Sequence, residues 1–122
     1  MRFTQDTASG INIIRSYGAD ELRVNDSVYR GAVILSASTI LAEPGIRSLD
    51  DLLGIDVSRI LALGPELVLL GTGARQIFPA ASFGAQFLRK GVGFEVMDTG
   101  AACRTFNVLV GEQRRVVALL AL

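Results

Sequence analysis

The run Leu67-Val68-Leu69-Leu70, closed by Gly71-Thr72-Gly73, constrains this chain more than any other segment. An unbroken apolar run bounded by turn-forming glycines describes a strand buried on both faces, which requires a layer packed on each side of its sheet. An amphipathic stretch follows from Ala80 to Lys90. Phe83, Phe87 and Leu88 make its apolar stripe, and Ser82, Gln86, Arg89 and Lys90 share the opposite face. Gly91 stops it, and Phe94-Glu95-Val96-Met97 is the next strand. This is a β-α-β unit, whose strands run parallel through a right-handed crossover. Asp98 or Thr99 then caps a helix running to about Val110, with Gly111 as the residue that turns the chain out of it. Val116 to Leu122 supplies a last apolar strand.

The first third reads as β structure. Ile11-Asn12-Ile13-Ile14 is a short strand with Gly10 and Gly18 as boundaries, and Leu22-Arg23-Val24 alternates with period two. Val24-Asn25-Asp26-Ser27 is a tight hairpin turn, because Asn and Asp tolerate left-handed backbone. Ala32-Val33-Ile34-Leu35 continues as a buried strand, Ser36 to Leu41 adds a further short one, and Glu43-Pro44-Gly45 turns the chain. Two short helices come next, one from Leu49 to Leu53 behind Ser48 and one from Val57 to Leu63 behind Asp56. The expected fold class is therefore α/β, a single domain over residues 1–122 with a β-α-β unit in the second half and an accessory N-terminal β part.

Composition narrows the function. The 122 residues contain no histidine and one cysteine, which excludes Ser-His-Asp and Cys-His catalysis, histidine-ligated metals and an intrachain disulfide. No metal site and no cofactor are expected. Lys+Arg and Asp+Glu are 12 each, so the basic excess that phosphate backbones attract is missing and no nucleic-acid partner is expected. No apolar run approaches the length of a membrane span, so membrane insertion is not expected either. Met1 to Gly10 carries Asp6 and lacks the apolar core of a signal peptide. A cytoplasmic protein is expected, as a monomer or weak homodimer.

A site, if present, belongs at the carboxyl ends of the parallel strands, where open α/β sheets bind ligands. Two loops lie there: Gly71, Thr72, Gly73 and on to Arg75 after the first strand, and Asp98-Thr99 after the second. Glycines let a backbone approach a ligand closely, and helix N-termini attract anions. The same residues also serve as an ordinary strand-to-helix turn. The helix after Thr99 is apolar around most of its circumference, so it is buried by its own domain or by a partner. Arg104 and Asn107 are its strongly polar residues. A buried Arg104 needs a counterion or carbonyl partners, and Asp98 is a candidate. Cys103 reads as a small buried side chain, with no histidine to activate it.

From Leu69 onward the residues also carry a resemblance. Leu69-Leu70-Gly71-Thr72-Gly73, Phe78-Pro79, Gly91, Glu95-Val96-Met97-Asp98-Thr99 and Ala101-Ala102-Cys103-Arg104-Thr105-Phe106-Asn107-Val108-Leu109 look like the uncharacterised-function family that includes mitochondrial respiratory complex I assembly factor 3. The resemblance is sharpest from Leu69 to Leu109 and weaker before Ser48. It implies a three-layer α/β fold with a mixed central sheet, hence one later strand running antiparallel. It implies no established catalysis, and a role met through protein partners. Two readings stand: a non-catalytic binding or assembly-factor-like domain, and a small anionic-ligand binder or enzyme using the Gly71–Arg75 and Asp98–Arg104 loops.

Overall fold

The structure, a computed structural model, describes residues 10–122. The expectation for Met1 to Gly10 therefore concerns a segment that, Gly10 apart, lies outside the described residues. In chain order the elements are β1 (Ile14–Gly18), β2 (Glu21–Val24), β3 (Ser27–Tyr29), β4 (Ala32–Ser36), β5 (Ile40–Glu43), α1 (Leu49–Leu52), α2 (Val57–Leu61), β6 (Leu67–Gly71), α3 (Ala81–Leu88), β7 (Gly93–Met97), α4 (Thr99–Gly111) and β8 (Val116–Leu120).

They form two sheets. The central one has five strands in the order β5-β4-β8-β6-β7, and the accessory one has three in the order β1-β2-β3. In the central sheet β6 pairs in parallel with both β7 and β8, while β4 pairs antiparallel with β8 and β5. The sheet is mixed, as expected, but its antiparallel members are the early strands β4 and β5. The later strands all run the same way, because α3 and α4 each carry the chain back to the end from which the previous strand started.

The strands β4, β6 and β8 alternate between two cores. Val33, Leu35, Leu69, Val116, Ala118 and Leu120 face α4 and the accessory sheet, whose contribution is Ile14, Leu22 and Val24. Ile34, Val68, Leu70, Val117 and Leu119 face the other way, against Leu52 of α1, Ile60 of α2, and Phe83 and Phe87 of α3. Every residue of β8 is buried, because this strand has a neighbour on each side and a layer on each face. The result is the three-layer arrangement that the apolar run at 67–70 demands.

Local structure departs from the sequence expectations at four places. The first strand occupies Ile14–Gly18 rather than 11–14, and all of it beyond Ile14 is exposed, so apolar patterning does not mark it. The residues before it serve as a tether: Asn12 is buried, and its side-chain amide donates to the Ser36 carbonyl at 2.9 Å. Ser36 ends β4 and residues 37–39 turn the chain rather than starting a strand, because the Ser36 hydroxyl accepts from the Thr39 amide at 3.1 Å and β5 begins only at Ile40. On α3 the apolar stripe is Phe83, Gly84 and Phe87, and Leu88 is 61% exposed. Gly84 faces inward because a Cβ there would stand 2.6 Å from the Phe94 ring. Finally, Gly111 is the last residue of α4, and the left-handed position beyond it is held by Gln113 at φ 63°.

The hairpin turn reads as expected. Val24 pairs with Ser27, and Asn25 takes a φ of 52° between them. The Asn25 side chain also accepts from the Ile13 amide at 3.0 Å, which holds the entry to β1 against the turn.

Candidate functional site

Because β6 and β7 are neighbours, the loops at their carboxyl ends meet. The joint is made of short polar bonds. The Gly73 amide donates to Thr99 Oγ1 at 2.8 Å, and the Thr99 amide donates back to the Gly73 carbonyl at 2.9 Å. The Thr99 hydroxyl in turn donates to the Ala121 carbonyl at 2.6 Å, so one side chain links three strand ends. The Thr72 hydroxyl donates to the Arg75 carbonyl and to the Met97 carbonyl of β7 at 3.3 Å, and accepts from the Ile77 amide at 3.0 Å. Gly71 is needed for packing: a Cβ would lie 3.0 Å from Thr99 Cα and 3.1 Å from Ala102 Cβ, so its absence lets α4 lie close on β6.

The N-terminus of α4 is capped by Asp98, whose Oδ1 accepts from the Ala101 amide at 2.8 Å. A carboxylate in that position satisfies an orphan amide and neutralises the positive helix end that an anion would otherwise seek. Further along α4, Asn107 joins the helix to the accessory sheet. Its Oδ1 accepts from the Ile14 amide and its Nδ2 donates to the Ile14 carbonyl, both at 2.9 Å. This amide fits the edge of β1 as a neighbouring strand would. Arg104 is exposed, and its guanidinium donates to the Tyr17 hydroxyl at 2.7 Å instead of pairing with Asp98. The apolar character of α4 is explained within the molecule, with Ala102, Cys103, Phe106 and Val110 packed on the sheet. The Cys103 thiol is pushed up to about 12, chiefly by burial, with Arg104 opposing and Asp98 reinforcing the rise. It is a protonated core side chain at neutral pH.

Between the accessory sheet and the α4 N-terminus lies a cleft of about 620 Å³. Tyr17 and Asp20 form one wall, and Gly73, Asp98 and Thr99 form another, closed below by Ala121 and Leu122. Of the sequence-derived candidates, Gly73, Asp98 and Thr99 reach this cleft. Gly71 and Thr72 are buried, Arg75 is exposed on its loop, and Cys103, Arg104 and Asn107 lie further along α4, outside the lining. Arg104 touches the cleft wall through Tyr17. The wall from the β1–β2 turn was not anticipated. Its signal is the turn-forming pair Gly18 and Asp20, the latter at φ 60° and paired with Arg47 at 2.8 Å. Among the described residues no group of three or more His, Cys, Asp or Glu is placed to hold a metal ion, and no helix is long and apolar enough to cross a membrane.

Known proteins resemble this chain in sequence and fold. A family described as "Protein of unknown function (DUF498/DUF598)" matches residues 14–121. The "13 kDa major membrane protein" of Francisella tularensis subsp. holarctica (strain LVS) is 32% identical over 109 residues, covering 87% of each chain. The "NADH dehydrogenase (ubiquinone) 1 alpha subcomplex assembly factor 3" of Danio rerio is 32% identical over 118 residues, which are 95% of this chain and 67% of that one. A crystal structure of a Bordetella parapertussis protein superimposes with a TM-score of 0.82 at 32% identity, covering 93% of this chain and 98% of that one. The match begins at the first residue of β1 and runs past the end of β8, and on that basis the chain belongs to this family of unknown function, alongside relatives named for NADH dehydrogenase assembly.

Proposed function

We propose that this protein is a non-catalytic binding domain that works through protein partners in the assembly of an NADH dehydrogenase-type complex, from the cytoplasmic side of the membrane. The observation that carries the reading is the 32% identity to a named assembly factor across 95% of this chain. The geometry supports it. The polar side chains that the sequence offers for chemistry are engaged in holding the fold: Thr99 and Asn107 bridge elements, Asp98 caps α4, and Cys103 is buried. The test is purification of the tagged full-length chain with identification of what accompanies it, alongside fractionation of the cell. A subunit or assembly protein of such a complex is the expected companion. Recovery of nothing specific across several growth conditions would remove the reading.

The cleft favours a second reading, the binding of a small molecule where the two sheets meet. Asp20 and Asp98 both line it, but the Asp20 carboxylate is paired with Arg47 and the Asp98 carboxylate already occupies the helix end. A neutral molecule therefore suits it better than the anion suggested by the glycine loop. A thermal-shift screen of metabolites of all three charge types against the intact protein decides this, and no shift with any of them sinks it.

A further inference from the structure

The central sheet ends at β7, and that edge is open. The Gly93 amide donates to the Glu66 carbonyl, and the Met97 carbonyl accepts from the Thr72 amide, so residues 93 and 97 point their backbone groups at β6. By the alternation of a parallel ladder, Phe94 and Val96 point theirs outward. The Val96 carbonyl accepts from the side chain of Gln76 at 2.9 Å, which confirms the direction and shows that the loop residue covers one of the four outward groups. The Phe94 amide and carbonyl and the Val96 amide have no partner among the described residues. The side chains of Phe94 and Val96 turn into the α3 core, while Glu95 projects to the other face, exposed and without an ion pair among the described residues. Beyond Gln76 the loop presents Ile77 and Phe78, the latter 72% exposed.

An open edge can accept a strand from a second copy or from another protein. The charge pattern separates these. The two-fold register that uses all outward groups of both copies pairs Phe94 with Val96 of the other copy and sets the two Glu95 carboxylates directly opposite each other. Like charges in that position oppose pairing. We infer that the β7 edge receives an extended segment of a different protein, with a basic residue opposite Glu95 and apolar residues on either side of it. This rests on the reading that the protein acts through partners, and it assigns the surface and the recognition rule. Gln76 is the group displaced on docking.

The test uses the full chain and short acetylated, amidated peptides of alternating Val and Thr with a central Lys, the same peptide with Glu, and the Lys peptide with alternate backbone nitrogens methylated. The expected result is saturable shifts of the Phe94 and Val96 amide resonances with the Lys peptide and loss of binding on methylation. Glu95→Lys is expected to weaken the Lys peptide about tenfold, and the Glu peptide to bind that variant better than the wild type, since the pair is charge-matched. Gln76→Ala, which bares the Val96 carbonyl, is expected to tighten binding several-fold. Peptide affinity indifferent to the Glu95 swap, or no shift at residues 94 and 96 with any peptide, overturns the proposal. So does concentration-dependent dimerisation of the wild type that Glu95→Lys leaves unchanged. Val96→Pro removes an outward amide without touching the β6 ladder. If the companions in the purification experiment survive both this variant and Glu95→Lys, the edge is wrong and the assembly reading stands. If the wild type brings down no companion while the peptides obey the charge rule, the assembly reading falls and the edge stands.

Discussion

The joint beneath α4 and the edge at β7 are finished in opposite ways. At the joint, polar groups brought together from distant parts of the chain are matched, Asn107 to Ile14 and Thr99 to Gly73 and Ala121, and the local cap of Asp98 on Ala101 completes it. At the edge, three outward backbone groups of β7 have no partner among the described residues, and a single glutamine covers the fourth. A buried polar group without a partner destabilises the fold, whereas an exposed one is satisfied by water. Matched groups therefore mark where the molecule holds itself together, and unmatched ones mark where it can exchange water for another chain. Here the residues with the most chemical appearance belong to the first kind.

The largest effect is expected in the core under the joint. Phe106 is fully buried there, and Phe106→Ala should cost about 3–5 kcal/mol, read by chemical denaturation. A loss under about 1 kcal/mol would mean that α4 does not bear on the sheet as described. Next comes the clamp itself. Asn107→Ala leaves the amide and carbonyl of Ile14 without partners and should cost about 1–3 kcal/mol. Hydrogen exchange in β1–β3 should quicken more than exchange in β6 and β8; equal quickening would show that the accessory sheet is not held through this residue.

A cap is worth less than a clamp. Asp98→Ala should lower stability by about 1 kcal/mol with the cleft otherwise intact. At the open edge, Gln76→Ala should change stability by less than about 0.5 kcal/mol, since its bond is exposed. A cost as large as that of the clamp would break the distinction between the two regions.

Cys103 reports on the joint through pH. Its thiol is raised from 9.0 to about 12 in the folded protein, so its contribution is complete below pH 9 and is lost as pH rises toward 12, where the unfolded chain ionises and the folded chain cannot. Cys103→Ala should therefore show a shallower loss of stability between about pH 9 and pH 11 than the wild type, by at most about 1.4 kcal/mol per pH unit. Superimposable curves would place the thiol in water.

Much of the framework is legible in the residues. The apolar run at 67–70 requires a doubly covered strand, and the glycines at 71, 73 and 91 bracket the β-α-β unit correctly. Asn25 marks its hairpin because few other residues accept φ 52°. Less legible is whatever depends on long-range pairing. Exposed β1 is held by backbone bonds that no hydropathy pattern announces, and Leu88 looks like a core residue until Phe94 is found in the space beside Gly84. The candidate site shows the same limit. Sequence alone places Asp98, Thr99, Arg104 and Asn107 near one another, but only the fold shows Asn107 grasping a strand 93 residues away and Arg104 facing Tyr17 instead of Asp98. The cleft needs Tyr17 and Asp20, which come from the opposite end of the chain.

The position of β8 bears on how the protein is made. It is made after the seven other described strands, yet it lies between β4 and β6 in the centre of the sheet. Until residues 116–120 emerge, the β4–β5 hairpin and the β6-α3-β7 unit are two separate fragments, each with a raw inner edge. Until then the two cores cannot close, and their closure is a cooperative step that waits for β8. Deletion of residues 116–120 would leave two halves with nothing between them.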